Sequence, residues 1–420
     1  MGFLAMTMAL LIEAIYLGMV GSDELAAIAF AFPVVMGFNA LTRGIGIGTS
    51  AVLARSIGAG EREQAARVAT HGLLLTLVFT VLCAIFLALW SKEIFHLMGA
   101  RDHILELVVA YMAIWCFGYP SFGIAMVGSG MMRSIGDAAF PGYVLTVGSV
   151  LQIFIAPPLI FGWFGFPAMG IEGAGWSFAL ARLSSLFLTA WWFLVREKMI
   201  RWSMEDFRGS ARTILHVAVP AGMSNLIQPA SMGITTWLLA SYGTLVVAGF
   251  GVAGRIEAVV NMVVIGISAS AAPLVGQNWG AKLYKRVDKA LKITYQFCLV
   301  WGVLATIIMW LGAEFFTGLI SHDKVVVEVA TIYLLIVPLS IGFAGVINVA
   351  NGSFNALGKP GPPLVLAVSR LLVVYVPMAI IASRFFGYEA IFVVTAFVNI
   401  MFGVISWRWN DSVVRSSRYR

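Results

Sequence analysis

The sequence predicts an all-α polytopic membrane protein with twelve transmembrane helices in two six-helix lobes. Composition is the first observation behind this prediction. Of the 420 residues, 60% are hydrophobic and 11% are charged, whereas soluble domains carry about 25% charged residues. The second observation is that long apolar runs alternate with short polar connections, and the third is an internal repeat. At about 20 residues per crossing, the length accommodates roughly a dozen helices.

Twelve apolar segments follow one another along the chain. They lie near 1–20, 30–54, 70–90, 104–132, 140–162, 172–195, 212–241, 245–276, 288–313, 326–354, 362–385 and 388–407. If both termini are cytoplasmic, the cytoplasmic connections and the carboxyl tail hold 19 Lys and Arg residues, and the opposite side holds four. Because cytoplasmic loops carry an excess of Lys and Arg, this asymmetry predicts cytoplasmic termini and an even number of crossings.

The chain repeats itself at an offset of 222 residues. The recurring pairs are Gly21 and Gly243, Gly58 and Gly280, Tyr111 and Tyr333, Gly130 and Gly352, Gly136 and Gly358, and Pro141 and Pro363. Six crossings separate the members of each pair, so both halves enter the membrane in the same direction. This predicts two parallel lobes related by a pseudo-two-fold axis along the membrane normal, as in some transporters.

The polar stretch between the sixth and seventh segments sets the predicted domains. We expect an N-terminal lobe at 1–199, a cytoplasmic linker at 200–211, a C-terminal lobe at 212–410 and a basic cytoplasmic tail at 411–420. The opening of the seventh segment has no counterpart in the first. The natural chain is therefore expected to begin upstream of Met1.

Several other functions are disfavoured by the same sequence. The net charge is +7, but the basic residues lie between apolar runs, so no nucleic-acid surface is expected. Cys83, Cys116 and Cys298 each sit within an apolar run and form no metal or disulfide motif. Lys359 precedes Pro360 and not Ser or Thr, so no nucleotide-binding Walker motif exists. We predict neither an enzyme nor a bound cofactor or metal.

Two of the twenty acidic residues, Glu13 and Glu257, fall well inside predicted membrane segments. A charge there costs at least a few kcal/mol unless it is paired, hydrated or protonated. Glu13 is therefore a candidate proton-binding residue, with hydration of a cavity as its alternative role. For Glu257 there are two alternatives of equal weight: a structural ion pair with Arg43 or Arg370, and a role in ion coupling. Arg43, Arg182 and Arg370 are interpreted as structural or water-facing.

Polar side chains in apolar segments are the candidates for a substrate pathway. They are Tyr16, Asn39, Gln228, Asn261 and Asn348. Such groups also form hydrogen bonds between helices, which is the plainer role for any one of them. Nineteen methionines and a 13% aromatic content offer adaptable apolar surface, which suits chemically varied cargo.

Four stretches of the chain resemble bacterial multidrug and toxic compound extrusion (MATE) transporters. They are EAIYLGMVGSDELAA at 13–27, GMMRSIGD at 130–137, LIFG followed by GIEGA at 159–174, and VGQNWGA at 275–281. The resemblance implies a V-shaped pair of helix bundles that exports small organic compounds, often cations or drugs, in exchange for protons or sodium ions. It also implies a monomer in the inner membrane, surrounded by lipid, with Glu13 at the acidic position of the first helix.

The positions at which this chain departs from the family pattern affect the prediction of the coupling ion. Where members of the family often carry acids, this chain has Gln228 in the seventh helix and Ala344 in the tenth. In the fifth helix, Gln152 and Ala156 replace an Asn and an Asp. The predicted ion-coupling residues are therefore Glu13, Gln152 and Glu257, and protons are favoured over sodium. A lipid-linked oligosaccharide flippase and a non-transporting membrane sensor or scaffold are the alternative functions.

Overall fold

The computed structural model describes residues 2–416, apart from the side chains of Phe3 and Leu4. Met1 and residues 417–420, the last part of the predicted basic tail, lie outside the described residues. Within the described part of the chain the regular structure is entirely helical, and no strand occurs. The predicted all-α class is therefore confirmed.

Twelve long helices make up residues 2–416. Their bounds are α1 (Gly2–Val20), α2 (Ser22–Gly58), α3 (Arg62–Leu97), α4 (Asp102–Ile135), α5 (Phe140–Phe161), α6 (Gly170–Arg196), α7 (Phe207–Ala240), α8 (Thr244–Gly280), α9 (Tyr284–Ile320), α10 (Lys324–Ala356), α11 (Gly361–Phe386) and α12 (Glu389–Ser416). The chain divides within α7, between Gly222 and Met223, into two compact units.

Ten of these helices, in the part of the chain that the structure describes, are long and apolar enough to cross a membrane. The other two are α1, which is apolar but shorter, and the more polar α7. Several helices extend past the predicted segments: α9 covers Tyr284–Ile320 where 288–313 was predicted. A helix of that length spans about 55 Å, well beyond the hydrocarbon core of about 30 Å, so it extends past the core, and its basic start reaches the headgroups and water.

Helix α4 lies at the centre of the first unit and packs against α2, α3, α5 and α6. Small residues allow this packing. A Cβ added at Gly118 of α4 would lie 2.7 Å from the Cα of Ala179 on α6, so the two backbones are in near contact. Helix α1 packs mainly on α5, which brings the first and fifth predicted segments together.

Helix α10 has the corresponding central place in the second unit, where it packs against α8, α9 and α12. A short 3-10 segment, Val337–Ser340, interrupts α10 at Pro338, which lacks a backbone N–H. Thr306 of α9 donates a hydrogen bond to the Pro338 carbonyl at 2.9 Å. The first residues of α2 and α8 are 222 positions apart, and so are their last residues, in agreement with the repeat in the sequence.

Candidate coupling sites in the two units

Glu13 lies two helical turns before the end of α1, and its side chain is withdrawn from water. Its exposed fraction is 5%, in a helix that is apolar on both sides of it. Because α1 packs on α5, the carboxylate meets Gln152, whose Nε2 donates to Glu13 Oε2 at 2.8 Å. The structure thus brings together two of the three predicted ion-coupling residues.

A buried arginine completes this network. Arg182 of α6 donates from Nη2 to Gln152 Oε1 at 2.7 Å. The Gln152 amide therefore lies between an anion and a cation, donating to Glu13 and accepting from Arg182. Gln152 and Arg182 are 2% and 4% exposed, so the two charges and the amide between them share one dry site.

Aromatic rings and a glycine lie beside the Arg182 head group. Its Cζ lies 5.3 Å from the ring centre of Phe122 and 5.1 Å from that of Phe178. Such cation–π contacts compensate part of the cost of removing the guanidinium from water. On α5, a Cβ at Gly148 would lie 2.3 Å from Ser185 Oγ and 3.3 Å from Arg182 Nη1. Gly148, one turn before Gln152, therefore lets α6 approach α5 closely at Ser185, beside the guanidinium.

The network is incomplete at both of its charged ends. Glu13 Oε1 and Arg182 Nε are buried and have no hydrogen-bond partner among the described residues. Tyr111 of α4, in the same unit, is also buried. An unpartnered carboxylate oxygen can receive a proton without breaking an existing hydrogen bond. Protonation would, however, leave the Arg182 charge uncompensated, so the net charge of the site responds to the state of Glu13.

The carboxylate of the second unit has neutral partners. Glu257 of α8 accepts hydrogen bonds from Tyr333 Oη at 2.5 Å and from Asn261 Nδ2 at 3.0 Å. It is half-buried, and within residues 2–416 it forms no ion pair with Arg370. Tyr333 is the repeat counterpart of Tyr111, which is buried in the first unit.

The other predicted pathway residues are placed separately. Tyr16 is half-buried, and its ring meets Phe161 edge-on at 6.0 Å. Asn39 of α2 has a buried Oδ1 without a hydrogen-bond partner. Gln228 and Asn348 are exposed. Among the hydrogen bonds of the described residues, the one between a predicted pathway residue and a membrane carboxylate is that of Asn261 with Glu257.

Three further arginines lie deep along the membrane helices: Arg43 in α2, Arg255 in α8 and Arg370 in α11. Each is at least about 13 Å from the nearer end of its helix. None of them forms an ion pair within the described residues. Arg370 lies in a π-helical segment, Ser369–Tyr375, just before Pro377. Such segments occur often at functional sites.

Asp137 connects the helix ends on the predicted cytoplasmic side of the first unit. Its Oδ1 accepts from the backbone N–H groups of Ala139 and Phe140, which caps the start of α5. Its Oδ2 accepts from Trp192 Nε1 at 3.2 Å and lies 3.3 Å from Arg196 Nη2. Partial burial opposes ionisation, but these hydrogen bonds and Arg196 together lower the pKa of Asp137 below its usual value.

Sequence reasoning missed the role of Arg182. The residue was recognised as a charge inside the membrane, but its partner depends on how α5 and α6 pack, and no local pattern shows this. A weaker signal was available for the tyrosines, because Tyr111 and Tyr333 are identical at the offset of the repeat. A residue type that recurs at one position of both halves is a candidate for the same role in each.

Comparison with known proteins identifies relatives over nearly the whole chain. The MatE family model matches residues 1–157 and 220–381. The chain is 30% identical to a protein of Shewanella oneidensis named "FAD transporter", over 94% of this chain and 88% of the relative. It is 22% identical to a "Probable multidrug resistance protein" of Bacillus subtilis, again over 94% of this chain and 88% of the relative.

A solved structure agrees with this assignment. The crystal structure of the Vibrio cholerae MATE transporter VcmN in its bent form is 27% identical, with a TM-score of 0.94. The match covers 99% of this chain and 94% of the solved one. The family match and the architecture therefore coincide, and the chain belongs to the MatE family of membrane transporters.

Proposed function

We propose that this protein is a secondary active exporter of small organic compounds, driven by protons that bind and leave Glu13. The Glu13–Gln152–Arg182 network carries the proposal, because it is a buried carboxylate with one unpartnered oxygen and a cation held through one amide. Glu257 is a second coupling residue in this proposal. Because its hydrogen-bond partners are neutral, we expect Glu257 to contribute less than Glu13 to proton coupling.

The charges of the site support an account of how a proton changes the protein. With Glu13 ionised, its charge and that of Arg182 compensate each other across Gln152. With Glu13 protonated, the Arg182 charge is left alone in a dry environment, which is costly. This cost destabilises the packing of α1 on α5 and α6 and favours a different arrangement. Deprotonation on the cytoplasmic side restores the first arrangement.

The same geometry favours protons over sodium. A sodium ion needs several oxygen ligands, whereas Glu13 is the one carboxylate of this network. A guanidinium one amide away repels a second cation but does not prevent protonation of the carboxylate. Transport into proteoliposomes under separately imposed proton and sodium gradients tests this. The proposal expects a response to the proton gradient alone, and a response to sodium alone would contradict it.

Two classes of cargo are candidates. Organic cations and drugs are the cargo implied by the relatives named for multidrug resistance. An anionic cargo such as FAD, named for the Shewanella oneidensis relative, is favoured by a specific observation. Four arginines and two glutamates lie deep in the membrane helices, which leaves a positive excess. Arg43, Arg255 and Arg370 have no ion-pair partner within the described residues, and the pyrophosphate of FAD carries the opposite charge.

Export of FAD and of a fluorescent organic cation, compared in the same proteoliposomes, separates the two. An Arg43→Gln/Arg370→Gln variant is the matched probe, because neither arginine belongs to the Glu13 network. An anionic cargo predicts that FAD export falls in this variant while cation export is retained. Export of the cation alone by the unaltered protein would assign the cationic class. Movement of a lipid-linked oligosaccharide with export of neither compound would instead identify a flippase.

The setting of the transporter is part of the proposal. We place it in the bacterial inner membrane as a monomer, with both termini cytoplasmic, because 19 Lys and Arg residues fall on that side and four on the other. The two lobes are joined on the same side by the linker at 200–211. Labelling of cysteines introduced at exposed loop positions, with a reagent that does not cross membranes, checks this orientation.

A further inference from the structure

Five basic residues cluster at the start of α9 and in the turn just before it. We define the α9 basic stripe as Lys282, Lys285, Arg286, Lys289 and Lys292. All five are exposed, and only Lys292 has an ion-pair partner within the described residues, Asp288 at 2.9 Å. From Lys285 onward, their spacing of three and four residues puts them on one face of the helix. The opposite face is buried, at Val287, Leu291 and Tyr295.

The same face continues along α9 as an apolar surface. It carries Ile293, Phe297, Val300, Val303 and Ile307, which are between 47% and 60% exposed. In a membrane helix, a long exposed apolar face contacts the lipid chains. The basic stripe therefore lies where this lipid-facing surface reaches the headgroups. Trp279 and Tyr284, whose rings meet edge-on at 5.0 Å, lie at the same level and are typical of that interface.

The repeat supplies a comparison, because α3 begins at the same place in the first unit. There the corresponding face is covered by the segment at 197–206. Arg67 pairs with Glu205 at 3.1 Å, Glu63 pairs with Arg201, and His71 Nε2 lies 2.9 Å from the Ser203 carbonyl oxygen. Within the part of the chain that the structure describes, no other helix or connection supplies an ion-pair partner to the α9 basic stripe.

We propose that the α9 basic stripe binds the phosphate groups of anionic phospholipids in the cytoplasmic leaflet. Its length, about 10 Å along the helix from Lys285 to Lys292, matches the depth of a headgroup layer, and its charge is opposite to that of the lipid. Basic clusters next to membrane helices bind anionic lipids in this way. The α9 basic stripe takes no part in the Glu13 network, so this proposal and the proposed function fail independently.

The test measures lipid binding and not transport. The full protein in detergent is titrated with phosphatidylglycerol or phosphatidylcholine, and bound lipids are counted by native mass spectrometry. A Lys285→Gln/Arg286→Gln/Lys289→Gln variant is expected to lose at least about tenfold in phosphatidylglycerol affinity, with unchanged phosphatidylcholine binding. The matched control, Lys198→Gln/Arg208→Gln/Arg212→Gln, removes three exposed charges from the same predicted side. It is expected to bind as the unaltered protein does.

A second variant guards against misfolding. Lys285→Arg/Lys289→Arg keeps the charges and is expected to bind phosphatidylglycerol normally. Equal loss in the control and stripe variants would overturn the proposal, since the effect would then be one of total charge. Unchanged binding in the stripe variant would also overturn it, and so would equal affinity for the two lipids in the unaltered protein.

Discussion

The two units place their membrane carboxylates in different surroundings. Glu13 of the first unit is almost fully buried and is connected to Arg182 through Gln152. Glu257 of the second unit is half-buried and accepts hydrogen bonds from the neutral groups of Tyr333 and Asn261. A proton at Glu13 leaves the buried Arg182 charge without its counter-charge, whereas a proton at Glu257 neutralises a carboxylate whose partners are neutral. The repeat therefore shares a scaffold between the halves, but in the first unit alone does this account expect protonation to leave an unpaired charge.

The largest effect is expected for Glu13→Gln, which keeps the shape of the side chain and removes its titration. Cargo accumulation driven by a proton gradient should fall to the level of empty liposomes. Exchange of labelled for unlabelled cargo without a gradient should persist, because exchange requires no net proton movement. Both are measured in the same proteoliposomes. Loss of both activities together would indicate a damaged pathway and not a loss of coupling.

Arg182→Met should have the next largest effect, on stability as well as transport. It leaves a buried carboxylate without its cation; breaking a buried ion pair in direct contact costs about 3–5 kcal/mol, and a pair joined through the Gln152 amide is expected to cost less. We expect a lower thermal unfolding midpoint in detergent and loss of proton-driven export.

The double variant Glu13→Gln/Arg182→Met is the control for this effect. Removing both charges should recover part of the midpoint, because no unpaired charge remains. If the two single effects simply added, the residues would not be coupled through Gln152, and the network would have no functional meaning.

Glu257→Gln tests the other side of the comparison and should have a smaller effect. Its partners are neutral and the glutamine can still accept from Tyr333, so we expect export to slow severalfold while its dependence on the proton gradient persists. Initial rates at several external pH values measure this. If Glu257→Gln removed the proton dependence and Glu13→Gln did not, the assignment of the two carboxylates would be reversed.

The smallest expected effect concerns Asp137, which stabilises the first unit outside the membrane. Because its pKa is lowered in the folded protein, its contribution is complete above the pKa of an ordinary aspartate, about 4. The contribution is lost as the pH falls through the lower folded value. Asp137→Asn keeps a cap for α5 but loses the charge pair with Arg196, at a cost of about 1 kcal/mol or less.

Unfolding midpoints measured from pH 7 down to acid check the Asp137 prediction. The difference between Asp137→Asn and the unaltered protein should shrink as the pH falls below about 4. Asp137→Ala, which also removes the cap, should be less stable than Asp137→Asn by about 1 kcal/mol. A difference that grew in acid would contradict the direction of the pKa.

Much of this architecture follows from the sequence because the membrane restricts the chain so strongly. The apolar runs predict helices, the Lys and Arg asymmetry predicts orientation, and the offset of 222 residues agrees with both ends of α2 and α8. Helix ends were predicted less well. The start of α2 at Ser22 lies eight residues before the predicted segment, since its polar first turn continues the helix beyond the apolar run.

The site was only partly predictable. Glu13 and Gln152 were singled out because an acid or an amide in a membrane helix needs a reason, and the resemblance marked both positions. Their connection to Arg182 through Gln152 depends on the packing of α1, α5 and α6, in which Gly148 lets α6 approach α5 closely. Glu13 and Gln152 are 139 positions apart in the sequence, and Gln152 and Arg182 are 30 positions apart. These contacts therefore follow from the fold and not from local spacing.

The most direct test of the account is the proton movement that accompanies export. A pH-sensitive dye trapped in proteoliposomes reports protons moved when cargo is added without a proton gradient. The account predicts a cargo-dependent proton flux in the unaltered protein and in Glu257→Gln, and none in Glu13→Gln. A cargo-dependent proton flux that persisted in Glu13→Gln would contradict the assignment of Glu13 as the coupling residue.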